Sequence, residues 1–294
     1  MVDPPLLRLE ALLGPPRAIE RLTPEAVLQL CSEFPVRGLA EEVRMLAARF
    51  ARAEAERRPE GDRRLAWHHL LMAVANLKSR GANVHPGGTE CFLDDVDDVG
   101  IESFRLPVPP LRPSSAADRG EESPEVTVED PDSWQSVMEA VQGLTVTTTT
   151  TLLAALWPHT HAILDNLDAG TVIGLQALDG RGKPRGDVTV AGLNSMWRDV
   201  VTGTKTWPDY EWFRGTLHKT VEQPGFKSQS VGLLDVERSL YLVGGRAAGY
   251  NGTQWSEWDL RLTDILEMAT ATWRDRSAHS PSGPFGLPTR DSTT

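Results

Sequence analysis

Two pairs of histidines have a residue type and spacing that could support chemistry, because imidazoles are common metal ligands. His68 and His69 are adjacent within a predicted helix, where neighbours point about 100° apart, so one metal ion cannot easily take both. His159 and His161 flank a single residue, and in an extended turn they could point the same way. No further Cys, His or acid is spaced to complete a shell. We therefore interpret the first pair as core or rim residues and the second as part of a loop before a helix.

A short acidic cluster is the second candidate, because carboxylate oxygens bind hard cations. Its members are Asp94, Asp95, Asp97 and Asp98. The cluster lacks the pattern of a known calcium loop, so we interpret it as a solvated, charged loop. The sequence has no Gly-rich phosphate loop, no nucleophile elbow, no Cys-x-x-Cys and no His-Glu-x-x-His. It therefore predicts no metal and no cofactor.

The bulk composition restricts the classes of partner. The 294 residues correspond to one large or two modest domains. A net charge of −11 repels phosphate backbones and anionic lipids, so nucleic-acid binding would need a local basic patch. The two cysteines, Cys31 and Cys91, are expected to be buried, reduced thiols. The N-terminus lacks a signal-peptide pattern, and the longest apolar stretches are too short to cross a bilayer, which predicts a cytoplasmic protein without membrane contact.

The first hundred residues have the pattern of three helices. Thr23-Pro24-Glu25 supplies an N-cap, a proline at the first helical position and an early acid. Apolar residues from Leu39 to Phe50 repeat at helical spacing on one face. The third helix, from about Arg64 to Arg80, is apolar nearly all round, which predicts a central position, and Gly81 is a candidate C-cap.

Changes in composition suggest four regions: an N-terminal helical region (1–105), a flexible linker (106–126), a C-terminal helical domain (127–276) and a disordered tail (277–294). The linker and the tail are rich in proline, serine and charge, and such sequences bury too little apolar surface to offset the entropy of ordering.

The second half also has helical periodicity. Asp132 and Gln135 form a capping box. The run Thr147–Thr151 is poor helix material, but Leu152 to Leu156 suggests a short helix that ends before Pro158. Another helix starts near Leu233 and is expected to end at Gly244-Gly245.

Strand patterns are scarce, with residues 126–128 and 186–190 as the only short candidates. The expected fold class is therefore all-α, a bundle of eight or nine helices in which the N-terminal helices complete the core.

The most informative segment runs from Gly143 to Leu175 and reads GLTVTTTTTLLAALWPHTHAILDNLDAGTVIGL. A short helix leads through Trp157-Pro158 to an apolar pair and then to Asp165 at a helix start. This arrangement resembles the helix-hairpin-helix DNA glycosylase superfamily, especially bacterial proteins of the 8-oxoguanine glycosylase fold. The stretch LLDVERSLYLVG, from Leu233 to Gly244, is similar to a late helix of that group. Together the two stretches extend the resemblance over at most half of the chain.

The resemblance implies that Asp165 stands at the position of the family's catalytic aspartate. A carboxylate there stabilises an oxocarbenium-like transition state, or activates water, once a base is flipped out of the stack. The residue pattern itself gives Asp165 a second role as the N-cap of the following helix, shared with Asp168. DNA or a nucleobase is the implied partner. The candidate nucleic-acid contacts are Thr147, Thr149, Arg181, Lys183, Arg185 and Lys205, and the same basic face could include Arg214, Lys219 and Lys227.

Two departures from the family pattern support an alternative. The hairpin's Gly-hydrophobic-Gly is replaced by Thr145-Val146-Thr147, although those glycines let backbone N–H groups approach a phosphate. Threonines also replace the lyase lysine, so no Schiff-base chemistry is expected. The alternative is a helical protein-interaction module or scaffold that lacks catalysis.

Overall fold

The computed structural model describes residues 8–33, 39–79, 145–177, 185, 188–196, 205–248 and 255–279. These residues form helices and loops without a strand, which confirms the all-α class. Their eleven helices are α1 (Arg8–Leu13), α2 (Pro24–Glu33), α3 (Leu39–Ala55), α4 (Glu60–Ser79), α5 (Val146–Leu156), α6 (Asn166–Ala177), α7 (Val190–Met196), α8 (Trp207–Val221), α9 (Pro224–Ser228), α10 (Leu233–Ala248) and α11 (Trp255–His279).

Helix α6 is the central element of the bundle. All of its residues from Asp168 to Ala177 are buried, and it packs against α1, α10 and α11. The prediction that the third helix is central was wrong. That helix, α4, packs against α3 and α5 on one face and leaves Leu65 48% exposed on another. An apolar composition marks both helices, but only α6 has neighbours on every side.

Helix α10 continues through Gly244-Gly245 to Ala248, so the expected stop at these glycines was wrong. Gly244 lies where α10 crosses α6, against Leu167 and Thr171. The Thr171 hydroxyl donates to the carbonyl oxygen of Leu240 at 3.1 Å. A glycine inside a helix costs stability relative to alanine, but here it allows two backbones to approach closely.

The threonine run is helical, contrary to the expectation that only its leucines would be. Thr148 to Thr151 are buried within α5. The hydroxyls of Thr150 and Thr151 donate to the carbonyl oxygen of Thr147 at 3.2 and 2.7 Å. Burial and these local hydrogen bonds outweigh the low helix propensity of threonine.

The N-terminal helices pack on the second half of the chain, as expected. Thr23 caps α2, since its hydroxyl accepts from the Ala26 N–H at 3.2 Å. Helix α2 packs against α10 and α11, and α1 against α6, α7 and α8. The indole N–H of Trp212 donates to the carbonyl oxygen of Gly14 at 2.9 Å. Residues 8–33 therefore contribute directly to the core.

Two boundaries differ from expectation. Helix α11 continues to His279, so the tail begins later than residue 277. The candidate strand near 186–190 is not formed in the residues described there, and Val190 starts α7 instead. Gly81, the acidic cluster, the linker and the capping box at Asp132 lie outside the described residues. Among the residues described, no helix combines the length and apolarity needed to cross a membrane.

Candidate functional site around Asp165

Asp165 lies at the N-terminus of the central helix α6 and is half-buried. Its Oδ1 accepts a hydrogen bond from the Asn166 N–H at 2.6 Å and another from the Leu167 N–H at 3.4 Å. These bonds satisfy backbone donors that the first turn of a helix cannot satisfy internally. The structure therefore confirms the N-cap role that the sequence assigned to Asp165.

The residue before the cap is held by two threonines of α5. The Thr147 hydroxyl donates to the carbonyl oxygen of Leu164 at 2.9 Å. The Leu164 N–H donates to the Thr150 hydroxyl at 3.1 Å. Because both backbone polar groups of Leu164 are bound by the same helix, the backbone that leads into Asp165 has a fixed position. The threonines that are unfavourable for helix formation thus position the site.

Lys205 places a cation beside the same helix end. Its ammonium donates to the Asn166 side-chain carbonyl oxygen, and Lys205 directly precedes Thr206, the N-cap of α8. Helix α8 begins with a capping box: the Thr206 hydroxyl accepts from the Asp209 N–H, and the Asp209 carboxylate accepts from the Thr206 N–H. Through Thr147, Asn166 and Lys205, the first turns of α5 and α6 and the start of α8 meet. Asp168 in the first turn of α6 and Asp209 in the first turn of α8 already complement the partial positive charges of these helix ends, so Lys205 is the group here that favours an anion.

The loop from Trp157 to Asp165 is anchored to α8 through a buried His–Tyr pair. The Nδ1 atom of His161 lies 2.6 Å from the Tyr210 hydroxyl oxygen. Burial, together with the nearby charges of Arg214 and His218, lowers the pKa of His161 from 6.5 to about 3. Burial also raises the pKa of Tyr210. Both side chains are therefore neutral at physiological pH, so the pair holds the loop without an unpaired buried charge.

Further side chains of α8 complete this anchor. His218 Nε2 donates to the carbonyl oxygen of Thr160 at 3.0 Å. The Arg214 guanidinium lies 6.0 Å from the centre of the Tyr210 ring and pairs with Glu211 at 2.6 Å. These residues follow at helical spacing on the side of α8 that faces the loop. The loop therefore has little freedom to move Asp165.

The two histidines of the loop do not share a direction. His161 is buried, whereas His159 is exposed. Both lie in the loop between α5 and α6, which confirms the interpretation of the pair as loop residues. No group of three or more His, Cys, Asp or Glu side chains that could hold a metal occurs within the described ranges.

The predicted nucleic-acid contacts do not all lie near Asp165 in the structure. Thr147 and Lys205 lie beside Asp165, whereas Thr149 is only 1% exposed, so its side chain is closed to a duplex. The Arg185 N–H donates to the Ala177 carbonyl oxygen at the far end of α6, about 18 Å of helix from Asp165. The Arg185 guanidinium pairs with Glu20 at 2.9 Å. Arg181 and Lys183 lie outside the described residues.

The remaining members of the suggested basic face do not form one patch at Asp165. Arg214 is used in the loop anchor, and the Lys219 ammonium donates to the carbonyl oxygen of Pro16 at 2.7 Å. Lys227 is exposed on the short helix α9. Of the described members of the suggested basic face, Lys205 is therefore the one that lies near Asp165.

Sequence reasoning missed Tyr210 and the α8 capping box as parts of the site. The box was visible as Thr206-x-x-Asp209 with Pro208 in the first turn. The partnership of His161 with Tyr210 joins residues 49 apart and has no local signal. Asp168, considered as a second cap, is fully buried in the first turn of α6.

Comparison of the chain with protein-family models, curated proteins and solved structures finds no match.

Proposed function

We propose that this protein binds DNA or a nucleobase and presents Asp165 as the catalytic acid of a divergent glycosylase fold. The carboxylate would stabilise the positive charge that develops on the sugar as the base leaves, or orient the attacking water. The sugar and the base would approach the N-terminal end of α6, where the side chain of Asp165 is half-buried.

The observation that carries this proposal is the rigid support of Asp165. Its backbone is fixed by Thr147 and Thr150 through Leu164, and its Oδ1 is oriented by two backbone N–H groups. A group that must meet a short-lived transition state works best when it is held before the substrate arrives. A carboxylate needed only as a cap does not require such a support on the residue before it.

The surroundings also fit a phosphate-bearing ligand. Lys205 supplies a positive charge at the start of α6, next to Asp165, within a chain whose net charge is −11. The predicted reaction is base release without strand cleavage, since no lysine occupies the threonine run. Any strand break would then arise later, from the abasic product.

The test is binding to a duplex that carries an abasic-site analogue, measured across a salt series for the wild type and Asp165→Asn. Asparagine retains the ability to cap a helix, so the variant should stay folded. We expect binding that weakens steeply with salt and changes with the substitution. The matched control is Asp235→Asn, because Asp235 also accepts from a backbone N–H at a helix start, that of Gly232 at 3.0 Å. A base-release assay follows on the same proteins.

The alternative is a helical interaction module without catalysis. The cap bonds of Asp165 favour it, because they account for the acid without any substrate. Under this alternative the folded wild type binds no duplex at low salt, and Asp165→Asn changes stability alone. That result would overturn the proposed function.

A further inference from the structure

Helices α3 and α4 line a surface groove of about 590 Å³. Its lining combines apolar and basic side chains, and it reaches down to Ala53 and Ala66, which are buried. The apolar residues are Met45, Ala48, Ala53, Leu65 and Ala66, and the charged residues are Arg49, Arg52, Arg58 and Asp62.

The groove contains two of the three exposed large apolar side chains among the described residues. Met45 is 60% exposed and Leu65 48%, and only one other large apolar side chain among the described residues, Met268, is comparably exposed. Met45 and Leu65 come from different helices and line the same concave surface. Single exposed apolar side chains are common, but two of them facing one groove suggest a surface that becomes covered.

The charge of the groove is opposite to that of the whole chain. Arg49 and Arg52 are exposed and form no ion pair with any other residue in the described parts of the chain. Arg58 is paired with Glu56 at 2.7 Å, and Asp62 is the only acid in the lining. Two guanidinium groups that have no ion pair with a described residue thus line the groove together with apolar side chains, on a protein of net charge −11.

We propose that this groove binds an acidic amphipathic helix of a partner protein. Two packed helices form a groove that a third helix can fill, with its apolar side chains at positions i, i+3, i+4 and i+7. In this mode the partner's apolar side chains cover Met45 and Leu65. Its carboxylates pair with Arg49 and Arg52, because the planar guanidinium group is well suited to bind a carboxylate.

The apolar residues of the lining favour a protein ligand over nucleic acid. A phosphate backbone gains from the arginines but has no apolar side chains to cover Met45 and Leu65. An acidic helix uses both features of the surface at once. This inference does not depend on the proposed chemistry at Asp165.

The test uses the full chain and a labelled synthetic 16-residue peptide of leucine, glutamate and aspartate, with the leucines on one helical face. A peptide of the same composition, with its leucines spread around the helix, is the control ligand. Fluorescence anisotropy should give a dissociation constant in the micromolar range for the first peptide. The control peptide should bind at least about tenfold more weakly.

Variants assign the binding to the groove. Arg49→Gln with Arg52→Gln should weaken binding by about tenfold and flatten its salt dependence. Met45→Ser with Leu65→Ser should also weaken it. The matched controls are Arg274→Gln and Met268→Ser, which change exposed residues of α11 outside the groove. Equal binding of the two peptides, or binding unchanged by the groove variants, would overturn the proposal. Displacement of the peptide by a duplex that binds more tightly through the same arginines would also overturn the proposal.

Discussion

Gly244 of α10 lies directly against the backbone of Leu167 in α6. A Cβ atom at position 244 would lie 2.7 Å from the Leu167 carbonyl oxygen and 2.5 Å from the Thr171 hydroxyl oxygen. Real Cβ atoms do not approach backbone oxygens this closely. The absence of a side chain at Gly244 therefore sets the distance between the two helices. Leu167 follows Asp165 by two residues, so this contact also positions the candidate site.

We expect Gly244→Ala to lower the free energy of unfolding by about 2–3 kcal/mol, because α6 and α10 must separate to admit the methyl group. The neighbouring Gly245 is exposed, and a Cβ there would lie 3.7 Å from the Leu167 Cδ1, an ordinary contact. Gly245→Ala should therefore be neutral or slightly stabilising, since alanine favours the helix. Urea unfolding of the two variants checks the pair, and equal losses would contradict this account.

Cys31 should be an unreactive thiol. Its Sγ donates to the carbonyl oxygen of Asp235 at 3.2 Å, and it is free. Burial, together with the carboxylates of Asp235 and Glu237, raises the pKa of Cys31 from 9.0 to about 12. The thiolate is the reactive form, so little of it exists at pH 8.5.

The measurement uses Cys91→Ser, which leaves Cys31 as the only thiol of the chain. We expect iodoacetamide to label the native protein more than about a hundredfold more slowly than the urea-unfolded protein at pH 8.5. Comparable rates would show that Cys31 is not held as described.

The buried His161 should make stability depend on pH. Its pKa falls from 6.5 to about 3 on folding, chiefly through burial. Below pH 6.5 the unfolded chain therefore takes up a proton that the folded chain does not. The stability that depends on neutral His161 is complete above that pH and is lost as the pH falls towards 3. The slope contributed by one such group is at most about 1.4 kcal/mol per pH unit.

We expect His161→Gln to reduce the slope of unfolding free energy between pH 6.5 and 5, a range above the usual titration of carboxylates. The variant should also be less stable at pH 8, because it loses the hydrogen bond with Tyr210. His159→Gln changes an exposed histidine of the same loop and tests whether the effect belongs to position 161. An unchanged slope in His161→Gln would contradict the pKa assignment.

The sequence predicted those elements whose signals are local. Thr23-Pro24-Glu25 marked the start of α2, and apolar periodicity marked α3. It failed where tertiary contacts decide. The sequence marks the threonines of α5 as poor helix material, because it shows neither their burial nor their hydrogen bonds to Leu164. It marks Gly244 as a helix end, because it does not show the close contact with α6.

The candidate site divides in the same way. Asp165 as a cap follows from its place before an apolar helix, and Lys205 belonged to a basic stretch of sequence. Their meeting depends on the tertiary fold, which brings Lys205, from the residues just before α8, to Asn166 at the start of α6, 39 residues away in the chain. Arg185 belonged to the same stretch, but it lies at the other end of α6 and pairs with Glu20. Sequence proximity alone could not separate these two cations.

Two adjacent threonines of α5 should respond oppositely to the same substitution. The Thr150 hydroxyl accepts the buried Leu164 N–H, so Thr150→Val removes the acceptor and should cost about 1–3 kcal/mol of stability. The Thr149 hydroxyl is buried without a hydrogen-bond partner among the described residues, so Thr149→Val replaces it with a methyl group and should be neutral or stabilising. Urea unfolding checks both changes.

If Asp165 acts on a nucleobase, Thr150→Val should also weaken duplex binding, because the backbone before Asp165 is no longer fixed. The measurement is made at a temperature where the variant is fully folded. Thr149→Val should bind the duplex as the wild type does. A loss of stability in Thr149→Val equal to that in Thr150→Val would mean that packing volume, and not the bond to Leu164, explains these threonines.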